Sequence, residues 1–191
     1  DDGSSDDTVA VAQRFGPAVQ VCCIPHGGPG AARNAGIVRA GGEVLAFLDA
    51  DDLWQENKLE LQLAALAATP ELDMVFGLVD HFYSPELDGA ARAVTPLPPS
   101  GAPGYLPSAW LVRRAALERV GPLATDLAVG EFIGWFIRAK ECGLRWSVVP
   151  QVVARRRIHA ANTARARGDN HQDYVRILKA SLNRRRAAAT T

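Results

Sequence analysis

Val44-Leu45-Ala46-Phe47-Leu48 runs straight into Asp49-Ala50-Asp51-Asp52, and these nine residues decide the fold. Five uninterrupted apolar residues after Gly41-Gly42 predict a short strand buried on both faces, as in a parallel sheet. Acids at the end of such a strand stand where ligands bind in an open α/β sheet, beyond the carboxyl ends of the strands. Strand alternation predicts that Asp49 and Asp51 point the same way, with about 7 Å of rise between them. Hard oxygen ligands at such a tip suit Mg2+ or Mn2+, with water and a substrate phosphate completing the shell. The plainer alternative is an acidic turn with Asp52 as the N-cap of the next helix, which accounts for one acid but hardly for three.

Outward from that stretch, the spacing predicts a helix over 55–68 with Leu59, Leu63 and Leu66 on one face, stopped by Thr69-Pro70. A strand over 74–79 follows, then a Pro-, Gly- and Ala-rich stretch over 84–107 that reads as one long loop. Residues 109–112 predict a strand, 114–119 a short helix, 131–142 a longer helix and 146–149 a last strand. Arg155-Arg156-Arg157 falls in the loop after it, and an amphipathic helix covers about 169–185. Toward the N-terminus, Ser4-Ser5-Asp6-Asp7 marks a helix start that Gly16-Pro17 ends. Residues 19–24 predict a strand, and the Gly-rich loop 26–30 leads into a helix over 31–40. That loop offers backbone N–H groups to a phosphate, although it lacks the Gly-Lys-Ser/Thr of a Walker loop. Strands alternating with helices imply an α/β fold with a mainly parallel sheet.

The 191 residues are 48% hydrophobic and 22% charged, which suits one folded domain, two at most, and excludes a disordered chain. No apolar run approaches the roughly 20 residues of a membrane-spanning helix. The formal charge of zero hides a gradient. Residues 1–90 hold 15 acidic and 4 basic side chains, and residues 91–191 hold 6 and 17. An acidic half facing a basic half suits a site with a cation on one side and an anion on the other, and equally two halves that simply attract. Cys22, Cys23 and Cys142, an odd number without metal-ligand spacing, predict buried reduced thiols in a cytoplasmic protein. Aromatics are sparse around the basic runs, so nucleic acid is not an expected partner.

Three motifs in order carry a family resemblance: Asp1-Asp2-Gly3-Ser4-Ser5-Asp6, then Gly28-Pro29-Gly30-Ala31-Ala32-Arg33-Asn34-Ala35-Gly36-Ile37, then Phe47-Leu48-Asp49-Ala50-Asp51-Asp52-Leu53-Trp54. Together they resemble the family 2 glycosyltransferases of GT-A fold, in detail to about Leu63 and more loosely to about Asn162. Asp49-Ala50-Asp51 matches the family's Asp-X-Asp motif. The resemblance implies a three-layer α/β/α nucleotide-diphospho-sugar transferase domain in residues 1–168, with 169–191 as an appended amphipathic helix and basic tail. It implies transfer of a sugar from a nucleoside-diphosphate sugar to an acceptor hydroxyl with inversion, assisted by Mg2+ or Mn2+. Asp1 and Asp2 are then nucleobase and ribose contacts, and Arg33 lies near the nucleotide. Asp49 contacts ribose or metal, and Asp51 ligates the metal directly. Arg157-Ile158-His159-Ala160-Ala161-Asn162 resembles the family's late Arg-X-His-X-X-Asn segment, which makes His159 a further candidate ligand. The cation answers a leaving-group problem, because a departing diphosphate gathers negative charge.

The family also places Glu-Asp at a helix start, with the Asp commonly as general base. Here Phe132 follows Glu131, so Glu131 is the candidate catalytic base, unless the base is elsewhere or the site is inactive. Its plain alternative is a first-turn acid complementing the helix dipole. By the same resemblance Trp110 falls among acceptor-side loops, while Trp135 and Trp146 belong to the core. The family's opening strand and nucleotide-binding loop would precede Asp1, and the single Met is Met74, so the chain is expected to be a fragment lacking the first βαβ portion. A non-catalytic sugar-nucleotide-binding or scaffold module is the competing function. The acceptor (glycan, lipid-linked or small molecule) is open. Leu178, Leu182 and Arg184-Arg185-Arg186 are expected first to dock on the chain's own domain, with an oligomer partner or peripheral association with the inner face of a membrane as the alternatives.

Overall fold

Two long strands, β3 (Met74–Tyr83) and β6 (Trp146–Ile158), pair in parallel along almost their whole length and form the centre of the sheet. They belong to a computed structural model that describes residues 1–160, 162 and 171–189. Before them come α1 (Thr8–Gln13), α2 (Gly28–Arg39), β1 (Val44–Ala46), β2 (Leu53–Trp54) and α3 (Lys58–Ala68). Between them lie α4 (Gly89–Ala93), β4 (Ala102–Pro103), a 3-10 turn (Pro107–Ala109), β5 (Leu111–Arg113), α5 (Arg114–Val120) and α6 (Glu131–Glu141). Helix α7 (His171–Ala189) follows β6; the expected start at Asp169 and the division at 168/169 lie outside the described residues.

The sheet order is β1-β5-β3-β6-β2, with β4 added against β3. The expectation of a mainly parallel sheet is corrected. Among the described residues only β3–β6 is parallel, and the β1–β5, β3–β5, β3–β4 and β2–β6 ladders are antiparallel. A parallel pair needs a long crossover, and β3 and β6 are the neighbours joined through helices that can supply one. Strand β1 is likewise not an interior strand. It ends the described sheet, pairs only with β5, and buries Leu45 alone.

Alternation along the strands sorts the core into two faces. Met74 and Phe76 join Trp110, Phe132 and Trp135 on the face covered by α5 and α6. Val75 and Val79 join Leu66, Leu111 and Val153 on the face covered by α3. Three layers result, as expected. Trp110 is fully buried against Phe47, Phe132 and Trp135, so its placement among acceptor-side loops is corrected.

Strand β6 runs far beyond 149 because its register skips Pro150 and Gln151 at an irregularity opposite Gly77 and Leu78. A bulge is where a residue without an N–H can remain in a sheet. Gly77 permits the close approach, since a Cβ there would meet Val153 Cγ1 at 2.5 Å. Arg155–Arg157 therefore lie on a strand and not in a loop. Residues 19–24 form no strand. Two backbone bonds, Asp1 N to Cys22 O and Ile24 N to Asp1 O, tie them to the N-terminus, and no ladder extends further. Cys23 and Cys142 are exposed and Cys22 half-buried, so the thiols are free but not buried.

Candidate functional site

Beyond β1 the chain turns at the acids, with the Asp52 N–H bonded to Asp49 O at 3.0 Å. Asp49 and Asp51 face one cleft because of this turn rather than through strand alternation. The cleft has a volume of about 450 Å3, and its walls include Arg33, Asp49, Asp51, Glu131, Arg156 and Asn162.

Helix α2 delivers Arg33, whose guanidinium bridges two acids distant in sequence. It donates to Asp49 Oδ1 at 2.5 Å and to Glu131 Oε1. The bridge is possible because α2 starts in close contact with the segment before α6. Gly30 lies so near Ala124 O that a Cβ would stand 2.0 Å from it. Glu131 begins α6 and is buried, with its carboxylate on this Arg33 bridge. Phe132, one residue on, turns into the aromatic core.

Asp51 meets the other side of the cleft. Its Oδ2 lies 2.9 Å from His159 Nε2 and accepts from Asn162 Nδ2 at 3.3 Å. Asn162 in turn accepts the His159 N–H at 2.7 Å, which ties Asn162 to the end of β6. Among the described residues no three His, Cys, Asp or Glu side chains form a ready-made metal cage. A carboxylate paired with an imidazole still fits an ion that keeps several waters and accepts substrate oxygens.

Asp52 caps no helix; Asn57 precedes α3. It is buried, accepts from Ser108 Oγ at 2.6 Å and accepts the Arg157 N–H at 3.1 Å. Burial pushes its carboxyl above the ordinary range, and the two hydrogen bonds oppose that rise. Sequence reasoning missed Ser108, Asn162 as a partner of Asp51, and Arg156 as the arginine of its run that lines the cleft. For Arg156 no sequence signal existed, because the bulge that sets its facing is not written in the local pattern.

Asp1 and Asp2 are not among the cleft's lining residues. Asp1 accepts the N–H groups of Gly3 and Ser4 within its own turn. Asp2 accepts those of Gly27 at 2.7 Å and Gly28 at 2.8 Å. Partial burial would raise the Asp2 carboxyl, but these N–H groups and His26 hold it below the ordinary value. The amides expected to cradle a phosphate at α2 are thus already engaged by Asp2.

The model of the family described as "Glycosyl transferase family 2" matches residues 1–121. Among similar proteins, glycosyltransferase AglE of Haloferax volcanii is 29% identical over 163 residues, covering 80% of this chain and 53% of AglE. An uncharacterized glycosyltransferase of Nostoc sp. is 30% identical over 185 residues, covering 85% of this chain and 55% of the other. The chain thus spans about half the length of these relatives. Staphylococcus aureus TarS 1-349, solved with UDP-GlcNAc, superposes with a TM-score of 0.61 at 20% identity, covering 83% of this chain and 48% of that one. Mannosyltransferase PcManGT of Pyrobaculum calidifontis, solved with GDP-Man and Mn2+, gives 0.60 at 20% identity, covering 87% and 49%. These neighbours are GT-A glycosyltransferases, and the mixed α/β sheet described above is consistent with that fold. With its three motifs inside the matched segment and its acidic turn at the lip of the cleft, the chain belongs to glycosyl transferase family 2.

Proposed function

We propose that the cleft binds a nucleoside-diphosphate sugar and that the sugar is transferred to an acceptor hydroxyl with inversion. The observation that carries this is the convergence of Asp49 and Asp51, Arg33, and Glu131 on one cleft from three separate stretches of chain. Asp51 and His159 would hold Mg2+ or Mn2+, with Asp49 as a second carboxylate toward ribose or metal. The bound cation supplies positive charge where the departing diphosphate becomes negative. Arg156, on the cleft wall, adds a fixed cation for the same anion. Asp2 shapes the loop at 26–30, whose Pro29 lines the cleft, and Asp1 acts one step back through its backbone bonds to Cys22 and Ile24.

Glu131 takes the acceptor proton in this scheme. Arg33 holds its Oε1, which fixes the carboxylate at the cleft wall where the acceptor would arrive. In-line attack from the Glu131 side, opposite the leaving diphosphate, inverts the anomeric centre. A second reading, a module that binds nucleotide sugar without turnover, is favoured by Phe132, which is buried where the family carries its acid. Residues 1–168 are proposed as the binding domain. Helix α7, basic and half-exposed, is proposed as its contact with a membrane surface on the cytoplasmic side; among the described residues no helix is long and apolar enough to cross one.

Calorimetric titration with UDP, GDP and their sugars, with and without Mn2+, tests the binding. Nucleotide affinity is expected to depend on Mn2+, and Asp51→Ala is expected to lower the Mn2+-dependent affinity about tenfold or more, about 1.4 kcal/mol. Equal affinity in Asp51→Ala would sink the assignment. Metal-dependent binding with no release of nucleoside diphosphate in the presence of acceptors would select the binding module.

A further inference from the structure

Three consecutive carbonyls behind the acidic turn are each held by a different side chain. Trp54 Nε1 donates to Ser108 O at 2.9 Å, Gln62 Nε2 to Ala109 O at 2.8 Å, and Lys58 Nζ to Trp110 O at 3.3 Å. Gln62 also donates to Val75 O at 3.0 Å, which ties the segment to the central strand. Lys58, Gln62, Ser108, Ala109 and Trp110 are all 0% exposed, so the bonds donated by Lys58 and Gln62 do not compete with water. Residues 108–110 are therefore a rigid strut referenced to β3 and α3.

From this strut a single hydroxyl reaches the turn. Ser108 Oγ accepts the Asp49 N–H at 3.1 Å and donates to Asp52 Oδ2 at 2.6 Å. The other Asp52 oxygen accepts the Arg157 N–H of β6 at 3.1 Å, and Arg157 Nε donates to Asp51 O at 3.0 Å. The turn is gripped at its first, third and fourth residues, from β6 and from the strut. None of these four bonds uses the carboxylate of Asp49 or Asp51.

We propose that Ser108 and Asp52 are positioning residues: the Ser108 hydroxyl and the buried Asp52 carboxylate lock the backbone of 49–52, so that the Asp49 and Asp51 carboxylates present themselves together to one ligand in the cleft. The proposal rests on the reading of those two acids as ligand-binding groups. A binding constellation works only if its members are held to within about 0.5 Å, which a short exposed turn does not achieve unaided. Removing the hydroxyl takes the partner from the half-buried Asp49 N–H and from one oxygen of the buried Asp52, so the turn must move to re-solvate them.

The test uses the full chain as wild type, Ser108→Ala, Asp52→Ala and Asp52→Asn, with two readouts. The first is amide hydrogen exchange at residues 49–52 against the amides of β3. The second is the ratio of UDP or GDP dissociation constants without and with Mn2+. In Ser108→Ala and Asp52→Ala, protection at Asp49 is expected to fall about tenfold while β3 keeps its own, and the Mn2+ ratio to shrink about tenfold, a loss of about 1.4 kcal/mol each. Asp52→Asn keeps an acceptor for the Arg157 N–H and a polar partner for Ser108, and is expected to restore both readouts.

Unchanged Asp49 protection in Ser108→Ala overturns the proposal. So does a uniform loss of protection, β3 included, with the Mn2+ ratio intact, because that is the signature of a merely structural residue. A wild type without Mn2+ dependence, whose 49–52 turn still loosens selectively in Ser108→Ala, supports the positioning device and overturns the metal assignment instead.

Discussion

Phe132 stands where the resemblance implies an acid, and the structure packs its ring into the aromatic core. Its ring lies 5.1 Å from Trp110 and 6.2 Å from Phe76, and only 4% of the residue is exposed. Phe132, Trp135, Phe136 and Ala139 repeat at helical spacing, so this core stripe was legible in the sequence. The same geometry turns Glu131 about 100° away, toward Arg33 and the cleft. Phe132→Asp, which would supply the implied acid, is therefore expected to create no base. Losing the ring costs about 3–5 kcal/mol, and an unpaired buried carboxylate adds to that. Thermal denaturation read beside turnover checks this; a variant that melts like wild type and turns over faster would refute it.

At the scale of elements, helix α3 shows where pattern reading failed. Leucine spacing put Leu59, Leu63 and Leu66 on the buried face. The structure buries Lys58, Gln62 and Leu66 and leaves Leu59 and Leu63 41% and 45% exposed. Hydrophobicity did not choose the face, because the carbonyls of residues 109 and 110 required donors and α3 supplied them. The strand end at 149 failed for a related reason, since a proline that stops an isolated strand is tolerated at a bulge formed with a distant partner. Motif positions in the first third of the chain were legible because they are local. Pairings such as Ser108–Asp52 and Arg33–Glu131 join residues 56 and 98 apart and leave no local trace.

The buried Lys58 also carries a pH dependence. Burial lowers its ammonium from 10.5 to about 7, and Gln62, Trp110 O and the face of Trp54 are its polar surroundings. Between about 7 and 10.5 the unfolded chain binds a proton there that the folded chain does not. Stability is therefore expected to rise with pH across that window, by at most about 1.4 kcal/mol per pH unit. Below about pH 7 both states are charged and the full burial penalty remains. Melting temperatures from pH 7 to 9.5 for wild type and Lys58→Met isolate this group from other titrations. The wild type should gain on the variant as pH rises; parallel curves would show that the ammonium pays no such penalty.

Over the whole molecule, the acidic and basic halves meet at the cleft, where Asp51 and Asp52 of the first contact Arg157 and His159 of the second. Helix α7 is itself strongly basic, carrying Arg176, Lys179, Arg184, Arg185 and Arg186 against the single acid Asp173. One face of α7 is docked: Asp173 accepts from the Ala128 and Val129 N–H groups, Ile177 is buried, and Ser181 and Arg184 bond Glu141. The opposite face carries Val175, Leu178 and Leu182 at 62%, 57% and 53% exposure, spaced as one helical stripe beside Lys179. An apolar stripe flanked by cations is the pattern of a helix lying in an anionic lipid interface. Tyr174, one turn before Leu178, lines the cleft, so such docking would bring the cleft mouth to the lipid surface. Each half-covered side chain has on the order of 1 kcal/mol still to gain from burial, so binding should be reversible and need both the stripe and the charge. Flotation with phosphatidylcholine vesicles is expected to require added phosphatidylserine, to weaken with salt, and to vanish in Leu178→Glu/Leu182→Glu. If that double variant instead abolishes self-association in sedimentation and leaves flotation unchanged, the stripe is a contact between copies of the chain and the lipid assignment falls.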